Sequence, residues 1–117
     1  MKLIIAYLPP ERLTQLINAL CEKHVHGLSV SEVRGFGQEH DPAHPDHREF
    51  IGIELTPKLR LEIACHDEEV DALLQVLRLP TDTGQRGAGK IFVLPIQDAL
   101  RLKTGERGSA ALGTKLN

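Results

Sequence analysis

Residues 58–65 read KLRLEIAC, and in them Leu59, Leu61 and Ile63 alternate with Lys58, Arg60 and Glu62. Successive side chains of a strand point to opposite faces, so this stretch calls for a sheet with one buried face and one polar face. The remaining segments must supply the other strands and a layer that covers the apolar side.

The rest of the chain supplies both. KLIIAYL at 2–8 is a short apolar run of strand formers ended by Pro9 and Pro10. Leu13, Leu16, Ile17 and Leu20 then recur at i, i+3, i+4 and i+7, a helix stripe with Pro10 suited to its first turn and Gly27 as the expected stop. GLSVSEVRGF at 27–36 sets Leu28 and Val30 against Ser29 and Ser31, the pattern of a half-buried strand. After the KLRLEIAC strand, Asp67, Glu68 and Glu69 place negative charge at a helix N-terminus, and Val70, Leu73, Leu74 and Leu77 form its stripe, closed by Pro80. KIFVLP at 90–95 is the next strand, and RLK at 101–103 predicts a brief further one. The order β-α-β-β-α-β plus an extra C-terminal strand is that of an α+β ferredoxin-like sandwich, with both helices on one sheet face. The uncovered apolar face predicts a symmetric oligomer.

At 117 residues and 41% hydrophobic content the chain fits one domain, taken as residues 1–112; GTKLN at 113–117 has no pattern and is set aside as a tail, such as a vector scar. A net charge of −2 provides no global basic field for nucleic acid or anionic membrane, so any anion site must be local. No run approaches the roughly 18 apolar residues of a membrane span, and the opening residues do not form a signal peptide, which predicts a cytoplasmic protein without membrane insertion. Cys21 and Cys65 lie in apolar patterns without C-x-x-C spacing and are expected to be buried thiols. His24, His26 and His66 are scattered, as structural or solvent-facing histidines are.

Two segments carry chemistry. GQRGAGK at 84–90 has the glycines and lysine of a phosphate cradle. A P-loop needs G-x-x-x-x-G-K-[ST] between a strand and a helix, and here the order is helix, loop, strand, with Ile91 after Lys90; the Rossmann fingerprint fails because no helix follows. What fits is an anion nest of backbone N–H groups, with Arg86 and Lys90 adding charge, against the plain alternative of a flexible connector. Arg101 and Lys103 alternate on the expected last strand and would complete a set of cations with Lys90, or else only charge an edge strand. The second segment, QEHDPAHPDHREF, has no periodicity and too few apolar residues to offset the entropy of ordering it.

GLSVSEVRGFG at 27–37, LTPKLRLEI at 55–63, TGQRGAGKIFVLPI at 83–96 and RLKTGE at 101–106 together resemble the PII signal-transduction proteins, over nearly the whole chain. The resemblance implies a homotrimer that senses adenine nucleotides (ADP, AMP or ATP) in clefts between subunits. Its mobile T-loop corresponds to about 37–54 and its phosphate-gripping B-loop to about 82–90. Gly87, Gly89 and Lys90 match the phosphate cradle, beside Arg86. Arg101 and Lys103 match basic residues reaching the phosphates from the adjoining subunit. Gly35, Gly37, Glu62 and Ala64 fall at the adenosine end, and Ser29 where a hydroxyl meets adenine.

The departures concentrate in the T-loop. Gln38 stands where the family has an arginine at the terminal phosphate, and Glu39 where a glutamine helps hold Mg-ATP with 2-oxoglutarate; Lys58, the 2-oxoglutarate partner, is kept. A carboxylate at Glu39 repels a dicarboxylate effector. Ile51 replaces the uridylylated tyrosine and Glu49 a phosphorylated serine, so neither modification is available. In their place His40, His44 and His47, with Asp41, Asp46 and Glu49, offer ligands that suit zinc, nickel or copper, although H-x3-H-x2-H matches no standard closed site.

No Ser-His or Cys-His pairing is suggested, so the expectation is a binding module and not an enzyme. Two readings stand side by side. The first is a nucleotide sensor that regulates a partner transporter or metabolic enzyme through its T-loop, in inorganic-carbon (bicarbonate) or nitrogen metabolism. The second is a metal-responsive accessory protein whose His-rich loop binds the metal, linked to metal efflux.

Overall fold

The computed structural model describes residues 1–23, 25, 27–36, 55–78 and 89–113. Four strands form one antiparallel sheet: β1 (Lys2–Leu8), β2 (Ser29–Gly35), β3 (Thr56–Cys65) and β4 (Lys90–Pro95), in the order β2-β3-β1-β4. Two helices, α1 (Leu13–Glu22) and α2 (Val70–Arg78), follow β1 and β3 respectively. This is the ferredoxin-like α+β arrangement that the sequence predicts.

The alternation at 58–65 is realised as expected. Leu59, Leu61, Ile63 and Cys65 are buried with Ile4, Ala6 and Leu8 of β1, Leu16 and Leu20 of α1, and Leu73, Val76 and Leu77 of α2. Each large aliphatic side chain so buried contributes roughly 1.5–3 kcal/mol. Pairing is in register across the centre: Ile4 faces Ile63 on one side and Val93 on the other, and Ala6 faces Leu61 and Ile91. The opposite face carries Leu3, Ile5 and Tyr7 of β1, Phe92 and Leu94 of β4, and Lys58, Arg60, Glu62 and Ala64 of β3. It is therefore divided into an apolar half along β1 and β4 and a polar half along β3 and β2. Phe92 and Leu94 are exposed. Tyr7 meets Phe92 edge to face at 6.2 Å between centroids, and the Arg60 guanidinium lies 5.9 Å from the Tyr7 centroid.

Helix boundaries follow local chemistry. Pro10 opens a 3₁₀ turn, Pro10–Arg12, that leads into α1. α1 ends at Glu22, short of Gly27, because Val25 N–H reaches back to the Leu20 carbonyl at 3.2 Å and Val25 packs on the core. That 6→1 bond and its apolar contact close the helix. A 3₁₀ turn at Asp67–Glu69 leads into α2, and the Glu69 carboxylate accepts the His66 backbone N–H at 2.7 Å in a capping box.

Three further expectations are corrected. The segment at 101–103 is not a strand. Leu100 and Arg107 form one isolated bridge, Arg101 N–H donates to the Glu106 carbonyl at 2.9 Å, and Gly105 N–H returns to the Arg101 carbonyl at 2.8 Å, closing a tight turn. Asp98 and Arg107 clasp its base, and the hydrogen bond from Arg107 holds the Asp98 carboxyl below the usual carboxylate range. Secondly, β2 is not half-buried, since it is an edge strand beyond the cover of the helices and Val30 is exposed. Thirdly, Cys21 is exposed on α1, whereas Cys65 is buried.

Burial, and next to it the nearby Glu69 carboxylate, raises the Cys65 thiol above its ordinary pKa. Under native conditions at neutral pH, iodoacetamide is expected to label Cys21 promptly and Cys65 only after denaturant is added. Mass spectrometry showing both thiols modified at equal rates would contradict this packing.

Candidate functional site

The described residues place two cavities at opposite ends of the sheet. The first, of about 460 Å³, lies where β2 leaves the sheet edge, and Ser29, Glu62 and Ala64 line it together with Gly27, Leu28 and His66. Ser29 pairs with Glu62, so the hydroxyl and the carboxylate stand side by side on the open face. Arg60 Nε lies 2.9 Å from Glu62 Oε1 at an angle that does not make a hydrogen bond, so that carboxylate is charge-matched but keeps acceptor capacity. Ala111 and Leu112, in a C-terminal 3₁₀ turn at Gly108–Leu112, complete the wall.

The second cavity, of about 430 Å³, is lined by Gly89, Lys90, Tyr7, Leu74 and Arg78. Lys90 opens β4 opposite Tyr7. Gly89 is fixed by its surroundings: its φ is 116°, and a Cβ built on it would stand 2.0 Å from the Tyr7 carbonyl oxygen. Only glycine allows the chain to enter β4 so close to the β1 backbone. The glycine therefore has a structural role whatever the loop holds.

Between the two cavities lie β3 and β1, and three inter-strand spacings put β2 about 14 Å from β4. A single chain thus carries a polar, carboxylate-bearing pocket at one sheet edge and a glycine–lysine corner at the other. Gly35 and Lys58 stand apart from both. Gly35 ends β2, six residues or about 20 Å along the strand from Ser29, and Lys58 is paired with Val33 near that same end. Arg101 and Lys103 lie on the C-terminal turn. Arg101 donates from Nη2 to the Ala111 carbonyl at 3.3 Å and has Nε 3.9 Å from Glu106, while Lys103 is exposed. Gly37, Gln38, Glu39, His40, His44, His47, Arg86 and Gly87 lie outside the described residues, as do His24 and His26.

A family model described as nitrogen regulatory protein P-II matches residues 1–106. The chain belongs to the PII family. It is 37% identical over 112 residues to nitrogen regulatory protein P-II 2 of Methanothermobacter thermautotrophicus, covering 96% of this chain and 97% of the relative. It is 37% identical to nitrogen regulatory protein P-II of Rhizobium etli over 96% of this chain and all of that one. With nitrogen regulatory protein GlnK of Escherichia coli K12 the identity is 33% over the same shares. PII proteins are signalling regulators, and this chain shares their fold. No helix among the described residues is long and apolar enough to cross a membrane.

The sequence did not single out Gly27, His66, Ala111 or Leu112 for the first cavity. For His66 there was a signal, the H-x-x-E spacing of a capping box at 66–69. For Ala111 and Leu112 there was none, because their contact is made across the whole length of the chain.

Gly89→Ala is expected to lower the stability of the folded chain by more than about 1 kcal/mol, the cost of the backbone conformation alone before the overlap with Tyr7 is relieved. Gly35→Ala, whose added Cβ would meet nothing within 4 Å, should stay within about 0.5 kcal/mol of wild type. Urea unfolding of the two variants checks the contrast, and equal midpoints would refute it.

Proposed function

We propose that this PII-family chain acts as a homotrimeric cytoplasmic sensor of adenine nucleotides that regulates a partner transporter or metabolic enzyme through its T-loop. The observation that carries it is the separation of complementary half-sites. Ser29 and Glu62 at one sheet edge suit the polar edges of a base, while Gly89 and Lys90 at the opposite edge suit phosphate. They cannot meet within one chain. Subunits packed through the apolar half of the open face, with Phe92 and Leu94 buried against neighbours, would bring one chain's edge to another's. In that assembly Arg86, Gly87 and Lys90 cradle the inner phosphates, Arg101 and Lys103 approach from the neighbour, and Gly35 and Gly37 close the adenosine side.

The residues that would reward a third phosphate are altered. Gln38 lacks the guanidinium for the terminal phosphate, and Glu39 offers a carboxylate where an amide would help chelate magnesium. ADP or AMP accordingly binds at least as well as ATP, and 2-oxoglutarate adds little. A ligand shifts a loop only by its differential affinity for the loop's states, so a further effector near Glu39 and Lys58 is called for, with bicarbonate or a divalent metal the candidates by charge. The metal reading, with His40, His44 and His47 as ligands and efflux as the setting, rests on sequence alone.

Light scattering at micromolar concentration is expected to return three times the mass of the chain; a monodisperse monomer would overturn the assembly. In calorimetry, Lys90→Ala should weaken ADP binding about 10- to 100-fold, the scale of one charge-assisted hydrogen bond. Unchanged affinity removes Lys90 from the site.

Titration of ATP with magnesium, with and without 2-oxoglutarate, tests the role given to Glu39. Less than tenfold tightening is expected. Tightening of tenfold or more, about 1.4 kcal/mol of coupling, would make the chain an ordinary 2-oxoglutarate-responsive PII sensor. Zinc titrated into the same preparation separates the metal reading.

A further inference from the structure

The first cavity is closed by a segment that belongs to no strand or helix of the sandwich. Residues 108–113 leave the clasped turn through Gly108 (φ 68°), run as the 3₁₀ turn that presents Ala111 and Leu112 to the cavity, and end at Gly113 (φ 82°). Two side chains tie this segment to the body, Gly113 included, although the sequence alone sets 113–117 apart from the domain. Arg101 Nη2 donates to the Ala111 carbonyl, and His66 Nε2 stands 3.0 Å from the Gly113 carbonyl oxygen. A carbonyl oxygen only accepts, so Nε2 carries the ring proton in this contact.

His66 is buried and lines the same cavity as Ser29 and Glu62. Its backbone is held by the Glu69 carboxylate at the start of α2, so the imidazole projects from a fixed point. The segment it grips has glycines of positive φ at both ends, and at its start the Gly108 N–H donates to the Ala99 carbonyl at 2.9 Å.

We propose that residues 108–113 form a strap closing the Ser29–Glu62–Ala64 cavity, with His66 as its latch and as a positioning residue for the ligand that occupies it. The latch keeps Leu112 in the cavity wall. It also holds the Ala111 carbonyl in place as an acceptor for Arg101, so that the guanidinium is ordered before a ligand arrives. Arg101 has five N–H donors, and among the described residues those not directed at Ala111 or Glu106 remain for an anion. The identity of the ligand as an adenine nucleotide rests on the function proposed above; the strap and its latch do not.

His66→Asn separates the latch from the helix cap. Asparagine is among the best N-cap residues, so α2 keeps its start, but its side chain is too short to reach Gly113. In this variant, hydrogen exchange across 108–113 should speed up while exchange in α2 is unchanged, and ADP affinity should fall about three- to tenfold, the size of one hydrogen bond. Leu112→Ala, which touches neither cap nor latch, should also weaken ADP binding by opening the wall, and it serves if His66→Asn fails to fold. Unchanged exchange across 108–113 in His66→Asn overturns the latch. Faster exchange with unaltered ADP affinity in both variants overturns the link between strap and cavity. If the wild-type protein binds no ADP and the strap still loosens in His66→Asn, the latch stands and the nucleotide reading falls.

Discussion

The registration of β1 between β3 and β4 decides where everything else stands. Ile4 lies between Ile63 and Val93, and Ala6 between Leu61 and Ile91, so one apolar row after another faces the helices. A slip of one residue would turn Leu59, Leu61 and Ile63 outward and drive Lys58, Arg60 and Glu62 into the core, with charged groups left in an apolar interior. That registration sets Lys90 against Tyr7, and β2 in turn pairs with β3 so that Ser29 meets Glu62. The position of the Gly89–Lys90 corner thus follows from hydrophobic registry rather than from any contact between polar groups.

Much of this was legible because the strongest patterns are local. KLRLEIAC is a strand with the expected faces, KIFVLP is the expected strand, and both helix stripes point to the core. Errors arose where a pattern was too short to carry information. RLK alternates over three residues, but Gly105 at φ 77° and the backbone bonds between Arg101, Glu106 and Gly105 fold it into a turn. Glycine is the usual helix stop, which points to Gly27, but the 6→1 bond from Val25 to Leu20 ends α1 before it. The exposure of Val30 depends on how far the helix layer reaches across the sheet, which no single stretch of sequence encodes, whereas Cys21 is exposed because it falls outside the apolar stripe of α1.

The site divides in the same way. Ser29, Glu62 and Ala64 do converge on one cavity, and Gly89 and Lys90 on another. Gly35 and Lys58 do not join them within one chain. The share of His66, Ala111 and Leu112 was hidden because residues some 47 positions apart are joined by a single imidazole–carbonyl bond. Gly89 shows a further ambiguity: a glycine that looks like part of an anion cradle is already required by the approach of the Tyr7 carbonyl.

The open face also carries its own probe. The chain has one tyrosine and no tryptophan. Tyr7 sits on that face with Phe92 at its edge, the Arg60 guanidinium near its ring and Lys90 opposite it in the strand pair. Tyrosine absorbance, tyrosine emission and its quenching therefore originate at one spot, between the apolar half of the sheet and the corner that leads to the glycine loop. Optical spectra of the unlabelled protein read that boundary directly, without a reporter having to be introduced.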